Sequence, residues 1–141
     1  MKPKHDYIIY TDGGSRGNPG PSAYGLVIYD SSNKILFEEG KTLGINTNNF
    51  AEYSGVIAGL KWVEQNSKIE KPTIQFFLDS QLAVMQLTDE WKIKNEVIRN
   101  FYYTAKRIEE RLDGSISYTH VRREKNTEAD RLVNMALDAQ I

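Results

Sequence analysis

The apolar run Asp6-Tyr7-Ile8-Ile9-Tyr10-Thr11 ends on Asp12, and Gly13-Gly14-Ser15-Arg16-Gly17-Asn18-Pro19-Gly20 follows at once. β-Branched and aromatic residues suit a pleated, half-buried surface, so the run predicts a buried strand. A charge at the end of such a strand is costly unless it has a partner. Three readings compete: a turn enforced by Gly and Pro, a phosphate-binding glycine loop, or one arm of a metal site. The loop lacks the Lys-Ser/Thr ending of a P-loop, and a strand rather than a helix follows it. Both the P-loop and the dinucleotide fingerprint fail on that context. A plain turn leaves the carboxylate unexplained.

The rest of the chain sets the frame for that stretch. Ala23 to Asp30 predicts a second strand, apolar on both faces and therefore central. Ser31-Ser32-Asn33 predicts a turn and Lys34 to Leu43 a third strand, which makes an antiparallel meander. Asn46-Thr47-Asn48-Asn49 supplies polar caps ahead of Phe50, Tyr53, Val56, Ile57, Leu60 and Val63, apolar residues at helical spacing. Glu52 is expected in the first turn of that helix. Thr73 to Asp79 predicts a fourth strand, again ending on an aspartate, and Ser80 caps a short helix through Leu87.

Glu90 to Asn95 connects to a helix from Glu96 to Leu112, and Ser115 to Val121 alternates as a fifth strand. A charged loop, Arg122 to Lys125, precedes a last helix with Ala129, Leu132, Val133, Ala136 and Leu137 on its apolar side. The order is βββαβααβα. It predicts an α/β fold with a five-stranded mixed sheet, three strands antiparallel and then two parallel, flanked by helices. The length suits one domain, residues 1–141. If the first strand lies between the second and the fourth, it sits at a switch between hairpin and crossover connections. Ligands of open α/β sheets bind beyond the carboxyl ends of strands at such a point. Asp12 and Asp79 are both expected there.

Composition narrows the chemistry. The chain has no cysteine, which excludes disulfides and thiolate metal sites, and His5 and His120 leave little for zinc. A net charge of −1 argues against holding nucleic acid by excess Lys and Arg alone. Bound divalent cations can, however, reverse the sign of a local acidic site. No long apolar segment or signal-peptide pattern is present, so the expectation is a cytoplasmic protein without a membrane partner. Nothing in the sequence demands more than a monomer.

Four acids stand where this fold can gather them: Asp12, Glu52, Asp79 and Asp130. Taken singly, Glu52 and Asp130 read as ordinary acids near helix N-termini. Converging, four carboxylates would repel and could not all stay ionised without cations. Hard divalent metals such as Mg²⁺ take carboxylate oxygens and keep positions open for water and phosphate.

Four segments in this order resemble type 1 ribonuclease H along nearly the full chain. They are Tyr10-Thr11-Asp12-Gly13-Gly14-Ser15 with Gly17-Asn18-Pro19-Gly20, Thr47-Asn48-Asn49-Phe50-Ala51-Glu52, Asp79-Ser80-Gln81, and Asn126-Thr127-Glu128-Ala129-Asp130. The resemblance implies a ribonuclease H-like fold and an endoribonuclease that hydrolyses the RNA strand of RNA–DNA hybrids, leaving 5′-phosphate and 3′-hydroxyl ends. It also implies that Asp12, Glu52, Asp79 and Asp130 hold two Mg²⁺ ions, with Mn²⁺ as a substitute. Two metals roughly 3.5–4 Å apart suit an in-line displacement that needs no protein nucleophile. By the same resemblance Gly13, Gly14, Asn48 and Gln81 lie along the RNA strand, and Asn18, Thr47 and Asn49 reach phosphate or sugar. Thr47 and Asn49 also read as helix caps.

Two features depart from many relatives. The loop from Val121 to Asn126 carries no histidine; His120 reads as structural, Glu124 as a substitute, Arg122 and Arg123 as phosphate contacts, and the whole loop equally as a solvated charged one. No basic inserted helix follows the short one, leaving Trp91, Lys92 and Lys94 as an auxiliary contact, although a lone Trp in a connector is more often packing. Other readings stay open: a non-catalytic RNA- or hybrid-binding module, or another metal nuclease of the wider fold.

Overall fold

In a computed structural model, residues 5–139 are described. They form β1 (Tyr7–Ser15), β2 (Gly20–Asp30), β3 (Ile35–Asn46), α1 (Asn48–Asn66), β4 (Thr73–Leu78), α2 (Gln81–Leu87), α3 (Glu96–Leu112), β5 (Ser115–His120) and α4 (Thr127–Asp138). The sheet order is β3-β2-β1-β4-β5. β1 pairs antiparallel with β2 and parallel with β4, and β5 extends the sheet parallel to β4. The expected order and mixed sheet are therefore found, with β1 at the switch point.

Alternation along the strands sorts the helices onto two faces. Tyr24, Leu26 and Ile28 of β2 join Ile9, Phe76, Val56 and Leu60 in the main core beneath α1 and α3. Ala23, on the other face, packs with Val133 and Leu137 of α4. β3 is a largely exposed edge strand carrying Glu38, Glu39 and Lys41, charges that discourage further strand pairing. No helix among the described residues is long and apolar enough to cross a membrane.

Three expectations need correction. β1 does not stop at Asp12 but runs on through Gly13 and Gly14 to Ser15, because β2 supplies a continuous antiparallel partner: Gly13↔Tyr24, Gly14↔Ala23, Ser15↔Ser22. Asp12 marks the end of the β1–β4 ladder instead, whose last pair is Thr11↔Leu78. Glu52 lies one residue beyond the first turn of α1, whose N-cap is Thr47. The loop before α4 contains a short 3₁₀ turn, Arg123–Lys125.

Candidate metal centre

Each acid is placed by a local cause. Thr11 and Leu78 end the parallel ladder, so Asp12 and Asp79 emerge side by side. Ser80 caps α2 by accepting the Ala83 N–H at 3.2 Å, which turns the chain away directly after Asp79. Thr47 caps α1 in the same way, accepting the Phe50 N–H at 3.1 Å.

Gly13 allows α1 to come down onto β1. A Cβ on Gly13 would lie 2.3 Å from both the Ala51 carbonyl carbon and the Glu52 nitrogen. The absent side chain therefore lets the backbone of Glu52 meet the strand beside Asp12. Gly25 does the same for α4, since a Cβ there would stand 2.0 Å from the Ala129 carbonyl oxygen.

Asp12, Glu52 and Asp79 each offer a carboxylate oxygen, and these atoms lie within 4.8 Å of one another. Asp12 and Glu52 are buried, both 7% exposed. Burial, followed by the charge of Asp79, pushes the Asp12 carboxyl up to about 8, against a weaker lowering by the Gly13 N–H. That N–H donates to Asp12 Oδ1 at 2.9 Å. Glu52 is driven well above the usual carboxylate range by burial and then by Asp12. Its Oε2 is buried with no hydrogen-bond partner among the described residues. Carboxylates so crowded need either protons or a cation, and an orphaned, inward oxygen with hard-donor neighbours fits a divalent ion.

Asp130 stands apart from this trio. It faces the same cavity, and its charge raises Asp12 less than Asp79 does, but it lies outside the tight cluster. The cavity has a volume of about 460 Å³ and is lined by all four acids with Gly13, Gly14, Asn48, Asn49, Arg16 and Arg123, among others. Asn48 and Asn49 also line an adjoining cavity of about 580 Å³ with Asn18, Thr47 and Asn95. Asn48 Oδ1 accepts from the Ser15 N–H at 2.8 Å, and Asn18 Oδ1 accepts the Asn48 N–H at 3.0 Å, tying the glycine segment to the start of α1.

The other sequence-predicted residues divide. Gln81 is exposed at the start of α2 and lines neither cavity. Trp91, 44% exposed, and Lys92 line a separate cavity with Arg99, Tyr102 and Tyr103. Lys94, Arg122 and Glu124 are exposed and line none of the three, while Arg123 reaches the acidic one. His120 is exposed and likewise outside them. Sequence reading missed Arg16, which lies in the glycine segment and bonds Asp138 at 2.7 Å, and Asn95, which it treated as connector. The Asn that caps α3 was the available signal for Asn95.

A family model described as reverse transcriptase-like matches residues 10–136. The bifunctional protein Rv2228c of Mycobacterium tuberculosis is 40% identical over 133 residues, covering 94% of this chain and 35% of that protein. The ribonuclease HI of Halobacterium salinarum is 41% identical over 129 residues, 92% of this chain and 63% of the relative. This chain thus spans about a third of the mycobacterial relative and less than two thirds of the halobacterial one. The crystal structure of LC11-RNase H1, a protein isolated from compost, in complex with an RNA/DNA hybrid superposes with a TM-score of 0.90. It is 36% identical, covering 95% of this chain and 98% of that one.

Proposed function

The chain belongs to the type 1 ribonuclease H family, and on that premise we propose that it is a metal-dependent endoribonuclease acting on the RNA strand of RNA–DNA hybrids. The observation that carries the reading is the tight trio of buried Asp12 and Glu52 with half-buried Asp79, too crowded to be ionised together without a cation. The hybrid bound to the LC11 enzyme supports the choice of substrate.

In this proposal Asp12, Glu52, Asp79 and Asp130 hold two Mg²⁺ ions, or Mn²⁺ in their place. Such ions supply Lewis acidity at a phosphoryl oxygen and acidify water, so the protein needs no nucleophile of its own. The chain's residues prepare that site. The Asp12 carboxyl keeps its proton to about pH 8 while no cation is present, so metal binding releases it. Gly13 and Gly14 present bare backbone to the RNA strand, and Asn48 and Gln81 lie along it. Asn18, Thr47 and Asn49 receive phosphate or sugar in the adjoining cavity, and discrimination against DNA falls on the 2′-hydroxyl. Trp91, Lys92 and Lys94 give the second strand a modest auxiliary hold, with Arg123 the one member of its loop at the acidic cavity. The products carry 5′-phosphate and 3′-hydroxyl ends.

One sheet with its helices accounts for residues 5–139, which supports reading 1–141 as a single ribonuclease H-like domain. A monomer working in the cytoplasm completes the proposal. The test is a panel of end-labelled hybrid, duplex RNA, duplex DNA and single strands, with Mg²⁺, Mn²⁺ or EDTA. Cleavage confined to RNA in the hybrid and abolished by EDTA is expected. A chain that binds hybrid and never cuts it would leave only a binding module.

A further inference from the structure

Asn126 is 1% exposed although it lies between a charged 3₁₀ turn and the exposed Thr127. It occupies the N-cap position of α4, yet its side chain makes no cap bond there. Asparagine ordinarily supplies that bond to the first turn of a helix. Instead, Nδ2 donates to the Thr11 carbonyl at 2.8 Å, across 115 residues of chain. Thr11 is the last β1 residue paired with β4 and the neighbour of Asp12. The Asn126 carbonyl in turn accepts the Asp130 N–H at 3.1 Å. One buried residue therefore touches the strand beside one acid and the backbone of another. Its Oδ1 is buried with no partner among the described residues, so the bond that Nδ2 makes to Thr11 is the one polar contact of this side chain there.

Other contacts already seat α4. Gly25 and Gly40 lie directly under Ala129 and Leu132, and Arg16 holds Asp138 at the far end. These set the height of the helix over the sheet; Asn126 adds a directed side-chain bond from the start of its first turn to the strand end that carries Asp12. We propose that Asn126 is a positioning residue for the metal centre, a clamp that holds the first turn of α4, and with it Asp130, against the end of β1 that carries Asp12. The proposal rests on reading the four acids as metal ligands.

The experiment compares the wild-type chain with Asn126→Ala, Asp130→Asn and the double variant. Folding is checked by circular dichroism, and Mn²⁺ affinity is measured by calorimetric titration without substrate. Hybrid cleavage is then measured as separate kcat and KM. Removing a group that orients a metal ligand typically lowers metal affinity about 10–100-fold. Asn126→Ala should show such a loss with KM for hybrid unchanged, and the loss should disappear in the Asp130→Asn background because both act through one group. Unchanged Mn²⁺ affinity in folded Asn126→Ala overturns the clamp, as does an additive loss in the double variant. Should Asn126→Ala not fold, Asn126→Leu, similar in shape and suited to burial, carries the same comparison. Unfolding of both assigns the residue to folding and also overturns the proposal. A wild-type chain that binds Mn²⁺ but cuts no hybrid sinks the ribonuclease reading alone, because the titration needs no turnover. A wild-type chain that binds no Mn²⁺ sinks both.

Discussion

Replacing Asp12 by asparagine should stabilise the metal-free protein much more at alkaline pH than at pH 5. In the folded state Asp12 keeps its proton to about pH 8, whereas an ordinary aspartate has a value of 3.8. Between those limits the native state binds a proton that the unfolded chain has released, so stability falls as pH rises. The contribution is fully present below pH 3.8 and lost by the time pH passes about 8. Each pH unit crossed is worth about 1.4 kcal/mol, which sets a ceiling of roughly 5–6 kcal/mol over the whole window and about 4 kcal/mol above pH 5. Relaxation and water entry reduce what is realised, and we expect about 2–4 kcal/mol. The amide introduced by Asp12→Asn keeps an oxygen for the Gly13 N–H, so the change removes charge and spares that bond. The assay is urea unfolding of both proteins in EDTA at pH 5 and pH 8.5, where subtracting the two removes the titration of distant groups. Saturating Mg²⁺ should erase or reverse the variant's advantage by binding only the native wild type. A wild-type-minus-variant difference that is flat between the two pH values would refute the crowded-carboxylate reasoning.

Other consequences are equally specific. Gly25→Ala would drive a Cβ to within 2.0 Å of the Ala129 oxygen, so it should cost about 1–3 kcal/mol by urea unfolding and lower kcat by displacing Asp130. Thr47→Ala removes the cap bond of α1 and should cost about 1 kcal/mol, read from the same unfolding curves. Trp91→Ala should change stability by less than about 0.5 kcal/mol, since the side chain is 44% exposed. Its effect should fall on KM for hybrid, with kcat preserved. A fall in stability with KM unchanged would mark Trp91 as packing.

Where side chains act locally, the sequence was legible. Ser80 announces α2 and the turn after Asp79, and the polar run Asn46-Thr47-Asn48-Asn49 announces the start of α1, which Thr47 caps. Failures occurred where a distant partner overrides local preference. Gly13 and Gly14 read as a loop, but β2 holds them in a ladder, and the missing Gly13 side chain admits α1 before any substrate. β3 likewise continues past Leu43 to Asn46 because β2 pairs with it as far as Gly20. The four acids were visible as types at suggestive positions. That three form a tight trio with Asp130 set further off is a fact of packing, fixed by contacts under α1 and α4 that no local pattern reveals. Asn126 shows the same limit: its motif is local, and its bond to Thr11 spans most of the chain.

Cleavage of a uniformly labelled RNA–DNA hybrid by wild type, Asp12→Asn and Asp79→Asn, each first shown to be folded, is the most direct test of the metal centre. With Mg²⁺ the wild type should cut only the RNA strand and leave 5′-phosphates, EDTA should stop it, and both variants should be inactive. Cleavage that persists in EDTA, or in either folded variant with Mg²⁺ present, would contradict a carboxylate-held metal centre at the end of β1 and β4.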